Sequence, residues 1–182
     1  MDNFHDAKII AENLKAAMRR FPQGVTVVTT RSGNGPLGIT VASFTSISLN
    51  PPLVLVSVAK GTYYHDLFVS TKAFAVNILG SDQGDVSERF AGKVPQGEDR
   101  FRSVKYHAGS SGSPLIENAL SWIECRNWKT IDAGDHTIIL GEVTQSMAGR
   151  EAAPLLYFNR QYATIAQLEP LARDYENLFM GW

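Results

Sequence analysis

The sequence predicts a mainly β protein built on an antiparallel barrel, and three observations lead to this class. Segments rich in β-branched residues recur along the chain, predicted strands outnumber predicted helices, and most of these strands are joined by short turns. A doubly wound parallel sheet needs a crossover helix between successive strands, so it is disfavoured. The 182 residues, 44% of them hydrophobic and 19% charged, are enough for one domain with its own core.

The first predicted elements are a helix and a β-hairpin. Apolar residues recur at spacings of four, four and three within residues 5–21, which predicts a helix with a single apolar stripe. Residues 24–30 then shift to β-branched side chains, and alternation from Leu37 onward predicts a second strand. Asn34-Gly35 lies between them and indicates a two-residue turn, because both central positions of a type I′ turn need a positive φ.

The rest of the chain combines further strands with two short helices. The predicted strands lie at 53–58, 73–79, 120–127, 136–144 and 155–158, and the predicted helices at 62–68 and 81–90. Thr62 is the expected cap of the first of these helices. Residues 91–114 are rich in Gly, Ser and Pro and indicate a long surface connection, which in a compact domain is usually functional. Apolar residues between Leu171 and Phe179 suggest a closing helix.

Charge and cysteine content exclude several classes of partner. Seventeen Lys and Arg residues balance eighteen Asp and Glu residues, and a formal net charge of −1 gives no overall field that would attract nucleic acid or an anionic membrane. The single cysteine, Cys125, cannot form an intramolecular disulfide, and we expect it in the core. No signal peptide or long apolar span is apparent, so we expect a soluble cytoplasmic protein.

Three patterns resemble known motifs but lack the required context. Residues 33–38 match the dinucleotide fingerprint G-x-G-x-x-G, yet they lead into a strand where the fingerprint requires a helix, so a hairpin turn is expected to explain all three glycines. Ser57 and Lys60 have the acylase spacing S-x-x-K, but Ser57 lies at a strand end and not at a helix start. The four histidines show no metal-ligand spacing. None of these patterns therefore predicts a site.

A dense segment of small hydroxyl residues remains. Residues 38–52 contain five of them among apolar residues and close with two prolines, so they either face water as a polar strand and loop or line a ligand site. In the second case, small side chains would let backbone N–H groups and hydroxyls approach a flat ligand with heteroatoms at its rim. Residues 57–62 combine a strand end, a glycine, a cation and a hydroxyl before a helix, which suits a phosphate.

Five stretches of the chain, in this order, resemble the flavin reductase family of split-barrel flavoproteins, which supply reduced flavin to two-component monooxygenases. They are residues 21–29, 38–52, 89–92, 134–143 and 154–162. The similarity runs from about Met18 to about Ile165. It implies a six-stranded antiparallel split β-barrel of Greek-key topology with flanking helices. One domain would span residues 1–182, with a core of about 18–165 and a C-terminal helical tail of about 168–182, and the family usually forms homodimers.

The resemblance also implies candidate site residues. The isoalloxazine edge and ribityl chain of the flavin would contact Thr40, Val41, Ala42, Ser43, Ser46 and Ser48. The phosphate would contact Ser57, Val58, Ala59, Lys60 and Thr62. Phe90, Ala91, Gly92 and Tyr162 would border the flavin and the nicotinamide, and His136 would lie where the nicotinamide stacks over the flavin. Tyr64 stands where the family usually has a second threonine, which leaves the choice between FMN and FAD open.

The activity implied by the resemblance is transfer of a hydride from NADH or NADPH to FMN or FAD, with the reduced flavin passed to a separate monooxygenase. The protein then has to align two rings and stabilise charge on the reduced flavin, with His136 in an orienting or charge-stabilising role. One alternative is a flavin-binding electron-transfer or storage protein without nicotinamide turnover. Another is a pyridoxamine-phosphate-oxidase-like enzyme, which the lack of an evident basic cluster for a substrate phosphate disfavours.

Overall fold

The structure is a computed structural model that describes residues 3–33, 35–93 and 98–165. Its helices are α1 (Asn3–Met18), α2 (His65–Ser70) and α3 (Gly84–Phe90). Its strands are β1 (Gln23–Gly24), β2 (Thr26–Ser32), β3 (Gly35–Val41), β4 (Thr45–Leu49), β5 (Pro52–Ala59), β6 (Ala73–Ile78), β7 (Tyr106–Ala108), β8 (Pro114–Ile116), β9 (Ser121–Ala133), β10 (His136–Ala148), β11 (Leu156–Phe158) and β12 (Gln161–Ala163).

The principal sheet has seven antiparallel strands in the order β3-β2-β6-β9-β10-β5-β4. Ser43, just after β3, links one end of this sheet back towards the other, because its hydroxyl accepts a hydrogen bond of 2.9 Å from the N–H of Ser57 in β5. The mainly β, antiparallel class predicted from the sequence is confirmed. Seven strands are present where six were expected, since β4 folds back onto β5 as an additional edge strand.

Several short strands are absent from the sequence-based prediction. β4 lies in the hydroxyl-rich segment, β7 and β8 pair within the predicted long connection, and β12 forms a hairpin with β11. The tip of that hairpin contains Asn159 and Arg160, whose φ angles are 48° and 66°. Turns with positive φ usually contain glycine, so the sequence gives no clear turn signal here. Gly35 lies in β3 opposite Ser32 and not at the centre of the predicted turn. The predicted C-terminal helix falls outside the described residues.

Two apolar cores lie on opposite faces of β2. Val28 belongs to the first core and Val27 to the second, as expected when successive side chains of a strand point to opposite faces. The first core contains Val28, Ile39, Val54, Val56, Val58, Phe68, Phe74, Val76, Cys125 and Ile139. The second contains Val25, Val27, Leu79, Phe90, Phe101, Val104, Ile116 and Leu155. Burial on both faces accounts for the continuous β-branched run in β2.

Helix α3 packs closely against β3. A Cβ atom added at Gly38 would lie only 2.6 Å from the ring of Phe90, so the absence of a side chain at this position is what allows the helix to approach the strand. The expectation that a hairpin turn explains all three glycines of the G-x-G-x-x-G pattern is therefore wrong for Gly38. The pattern leads into β3, and no dinucleotide-binding helix follows it.

The helix α1 exposes its apolar stripe. Its large apolar residues Ile9, Ile10, Leu14 and Met18 are 43–66% exposed, and Phe21 just beyond it is 57% exposed. A single helix of this kind gains little stability unless its stripe is covered. Among the residues that the structure describes, no helix is long and apolar enough to cross a membrane.

Two neighbouring residues of β9 are buried ionisable groups. Cys125 lies in the first core as predicted, and burial, with a smaller effect from the charge of Glu124, raises the pKa of its thiol to about 12. Glu124 is 3% exposed and accepts hydrogen bonds of 3.0 Å from the N–H groups of Ser110 and Ser111. Burial raises the pKa of Glu124, but these bonds and those from both serine hydroxyls outweigh it and hold the pKa below its usual value.

We expect the Glu124→Gln variant to lose about 1–3 kcal/mol of unfolding free energy at pH 7, because an amide cannot accept all the bonds that the carboxylate receives. The native pKa of Glu124 lies below the unfolded value, so its contribution is complete above about pH 4.3 and declines as the pH falls through the native pKa. Urea unfolding at pH 7 and pH 4 measures both effects. The exposed Glu117→Gln variant is the matched control, and equal stability of the two variants would contradict the prediction.

Candidate active site

A cavity of about 550 Å³ opens where the ends of β3 and β5 meet the start of α2, the end of α3 and the start of β10. This volume lies within the range of about 300–1,000 Å³ that is usual for ligand sites. The residues that line it are Gln23, Ile39, Thr40, Val41, Ala42, Ser43, Ser57, Val58, Ala59, Thr62, Tyr63, Tyr64, Phe90, Ala91, Gly92, Arg100 and His136. None of them is acidic, and Arg100 is the one permanently charged side chain among them.

The cavity unites most of the site residues predicted from the sequence. Those that line it are Thr40, Val41, Ala42, Ser43, Ser57, Val58, Ala59, Thr62, Phe90, Ala91, Gly92 and His136. The other four predicted residues, Ser46, Ser48, Lys60 and Tyr162, do not line it. Twelve of the sixteen predicted residues, from four separate parts of the chain, thus meet at one cavity.

Hydroxyl groups fix the wall formed by β3 and β5. The Thr40 hydroxyl donates to the carbonyl of Ser87 in α3 at 2.6 Å. The Ser43 hydroxyl accepts from the N–H of Ser57 and donates to its carbonyl at 3.2 Å. Because these hydroxyls are already engaged within the protein, this wall presents mainly backbone and small side chains to the cavity.

The turn before α2 is closed by Thr62 in a way that the sequence did not predict. Its hydroxyl donates to the carbonyl of Ala59 at 2.8 Å, while the N-cap of α2 is Tyr64, without a side-chain capping bond. The expectation that Thr62 caps this helix is therefore wrong. Helix α2 is held against β10 by His65, whose Nε2 lies 2.9 Å from the Thr137 hydroxyl.

Lys60 does not line the cavity. Its Nζ donates to Asp132 and to the carbonyl of Gly134, both at 2.7 Å, and so ties the end of β5 to the turn between β9 and β10. The hydrogen bond and the charge of Lys60 lower the pKa of Asp132. The contact between Lys60 and a phosphate stays a prediction without support from this geometry, because the lysine is paired with Asp132 near the end of β9.

His136 begins β10 and faces the cavity opposite the end of β5, where it pairs with Ala59. Its Nδ1 lies 2.7 Å from the carboxylate of the neighbouring Asp135, and 43% of its side chain is exposed. The hydrogen bond with His136, followed by its charge, lowers the pKa of Asp135. A carboxylate on one ring nitrogen fixes the orientation of the imidazole and leaves the other nitrogen for a ligand.

Tyr162 and the two serines of β4 have structural contacts instead. The hydroxyl of Tyr162 donates to the Ser87 hydroxyl at 2.9 Å, so this residue acts on α3 and reaches the cavity only indirectly. The Ser48 hydroxyl accepts from the N–H of Asn50 at 3.2 Å, in the turn into β5, and Ser46 pairs with Val54. Their predicted flavin contacts do not follow from this geometry.

Five lining residues were not predicted as site residues, and two of them form a distinctive pair. They are Gln23, Ile39, Tyr63, Tyr64 and Arg100. The guanidinium of Arg100 lies 4.8 Å from the centroid of the Tyr64 ring. The sequence contained a partial indication of each. Arg100 lies in the long connection that was expected to be functional, and Tyr64 stands where the family usually has a threonine, but neither observation predicts that the two residues meet.

The cavity is suited to a planar ring with an anionic tail. One wall is the backbone and small side chains of β3 and β5, and a second wall includes Ala91 and Gly92. Gly92 is exposed, has no side chain and adopts a φ of +86°. A cation at the Tyr64 end and the absence of acids among the lining residues favour a negative charge there. These features fit an isoalloxazine ring with its phosphate-bearing side chain.

Comparison with known proteins gives consistent matches. The family model "Flavin reductase like domain" matches residues 18–166. The reductase component of flavin-dependent trigonelline monooxygenase from Acinetobacter baylyi is 39% identical over 89% of this chain and 51% of its own length. The FMN reductase (NADH) SmoA from Agrobacterium fabrum is 40% identical over 81% of this chain and 82% of its own length. The chain thus spans about half the length of some curated relatives that it matches.

A solved structure shares the fold. NADH:FAD oxidoreductase SgcE6 from Streptomyces globisporus C-1027 superimposes with a TM-score of 0.79 and 38% identity, over 84% of this chain and 91% of that one. The family model covers β1 to β12 and therefore every strand that borders the cavity. With sequence, strand order and cavity in agreement, the chain belongs to the flavin reductase family.

Proposed function

We propose that this chain is an NAD(P)H-dependent flavin reductase that transfers a hydride from NADH or NADPH to FMN or FAD. It would work in the cytoplasm and supply reduced flavin to a separate monooxygenase. The observation that carries the proposal is the cavity, which joins distant parts of the chain around a space with one fixed cation and no acid among its lining residues. The names of the Streptomyces and Agrobacterium proteins, which specify NADH with FAD or FMN, support it.

The flavin would lie between the two walls of the cavity. Residues 40–43 would border the isoalloxazine and ribityl groups, 57–59 and Thr62 would border the phosphate end, and Ala91 with Gly92 would cover the other side. When bound, the flavin supplies the redox chemistry, since it accepts a hydride and passes electrons on. The chain itself supplies alignment and a preorganised polar surface.

His136 is the candidate catalytic residue. Its contact with Asp135 sets the ring orientation at the cavity wall, and we assign its second nitrogen to the rim of the nicotinamide or flavin. In this role it orients the rings or stabilises developing charge, and no paired carboxylates are needed.

The proposed partners are a flavin-dependent monooxygenase and a second copy of this chain. The Acinetobacter relative is named as the reductase component of a monooxygenase, which supports the first. The exposed apolar stripe of α1 supports the second, because such a stripe is usually covered in the working form of a protein.

Purified protein mixed with NADH or NADPH and with FMN, FAD or riboflavin should oxidise the nicotinamide, measured by its absorbance without oxygen and in air. The reason is that the cavity is expected to hold the two rings in contact. No oxidation with any pairing would contradict the proposed function. Flavin that stays bound through gel filtration without turnover would instead favour the electron-transfer or storage role.

The His136→Ala variant should reduce kcat/KM for the nicotinamide about 10- to 100-fold, because a misplaced ring loses much of the benefit of alignment. Steady-state kinetics with saturating flavin measures this change. His107→Ala is the matched control, since His107 is exposed and its ring contacts Trp122 outside the cavity. Unchanged turnover and unchanged apparent affinity in His136→Ala would refute the assignment.

Light scattering should give a mass of about twice the 20.0 kDa of the chain. The Leu14→Asp variant should shift the mass towards that of the monomer, because it places a charge in the exposed apolar stripe of α1. Lys8→Glu, which changes a polar position of the same helix, serves as the control. A monomeric mass for the unmodified chain at micromolar concentration would rule out the homodimer.

A further inference from the structure

Tyr63, Tyr64 and Arg100 form one end of the cavity, and we call them the aromatic end. The rings of Tyr63 and Tyr64 lie 5.0 Å apart at 81°, and the Arg100 guanidinium lies 4.8 Å from the Tyr64 centroid. Arg100 and Tyr64 come from segments that are 36 positions apart in the chain, so their meeting is a property of the fold.

Arg100 is hydrogen-bonded to the end of α3, and within the described part of the chain no salt bridge pairs its charge with an acid. Its Nη1 donates to the carbonyl of Phe90 at 3.2 Å, and its Nη2 lies 3.7 Å from the position that a Cβ of Gly92 would occupy. Its own carbonyl accepts from Nε of Arg89 at 3.1 Å. None of the salt bridges found among the described residues includes Arg100. A guanidinium that is positioned in this way is suited to bind phosphate.

Most of the surface of Tyr63 is not in contact with the rest of the protein. Its side chain lines the cavity while the residue is 81% exposed, the largest exposure among the large hydrophobic residues described. The Tyr63 ring contacts the Tyr64 ring, and the Tyr64 ring in turn faces the guanidinium. An exposed aromatic ring at the same end of a cavity as a cation suits a nucleobase that is linked to a phosphate. No part of FMN extends a base beyond its phosphate, whereas FAD carries a second phosphate and an adenine.

We propose that the aromatic end is a subsite for the adenosine monophosphate half of FAD, and that this chain therefore binds FAD more tightly than FMN. Arg100 contacts the pyrophosphate, and Tyr63 stacks on the adenine. The proposal rests on the proposed function, because it requires the flavin ring to occupy the adjoining part of the cavity.

Dissociation constants for riboflavin, FMN and FAD, measured by quenching of flavin fluorescence without nicotinamide, test the subsite. The unmodified chain should bind FAD about tenfold more tightly than FMN. Arg100→Gln should weaken FMN and FAD about 10- to 100-fold and leave riboflavin, which has no phosphate, unchanged. Tyr63→Ser should weaken FAD alone, by about 5- to 100-fold.

Arg102→Gln is the matched control for the loss of one positive charge, because Arg102 is exposed and outside the cavity. Arg100 also bonds the end of α3, so the riboflavin constant and the unfolding temperature of each variant separate lost phosphate contact from general disruption. Equal weakening of all three flavins in Arg100→Gln and Tyr63→Ser would overturn the proposal, since it would indicate a structural role only.

The outcomes distinguish this subsite from the proposed function. Equal affinity of the unmodified chain for FMN and FAD would overturn the subsite while leaving flavin reduction intact. A Tyr63→Ser variant with a raised KM for NADH and an unchanged ratio of FMN to FAD affinity would also overturn it, because the ring would then serve the dinucleotide of the co-substrate. Failure to bind any of the three flavins would overturn the proposed function itself.

Discussion

The contact between the Phe90 ring and the bare backbone of Gly38 is the constraint on which the site depends. It lets α3 lie directly on β3, and it buries Phe90 in the second core together with Phe101. Two hydrogen bonds to Ser87, from Thr40 and Tyr162, keep the helix at this depth. The residues that follow α3, Ala91 and Gly92, thereby become a wall of the cavity.

A second constraint is the register between β5 and β10. Seven consecutive pairs join these strands, from Ala59 opposite His136 to Leu53 opposite Glu142. A shift by one residue would turn every side chain of β10 to the other face, which would remove Ile139 from the first core and His136 from the cavity together. The packing of the barrel therefore fixes the position of the candidate catalytic residue.

The sequence predicts the parts of this protein that depend on local pattern. Alternating apolar residues and β-branched runs predict β2, β3, β5 and β6. The segments 38–52 and 57–62, which are rich in small hydroxyl residues, predict two parts of the cavity lining. β4 was missed because its exposed serines and threonine resemble a loop, although pairing with β5 makes it a strand. Arg100 was missed for a different reason. The residues around it in the sequence give no indication that the fold brings this arginine into contact with Tyr64. Lys60 was favoured as a phosphate ligand for a related reason. Its position at a strand end next to a glycine suggests a phosphate contact, but its actual partner, Asp132, lies 72 positions away in the sequence.

Arg100, and not the predicted Lys60, is the cation available to an anion in the cavity, and the reason is electrostatic. Lys60 is paired with Asp132, so at a distance the pair contributes almost no net field, and its remaining bond to Gly134 orients it along the β9–β10 turn. Arg100 is held by an aromatic face and a backbone carbonyl, neither of which carries a formal charge. These contacts immobilise the guanidinium without cancelling its charge, and the lining residues add no acid. A chain with a net charge of −1 can therefore still present a directed positive field at one end of a single cavity.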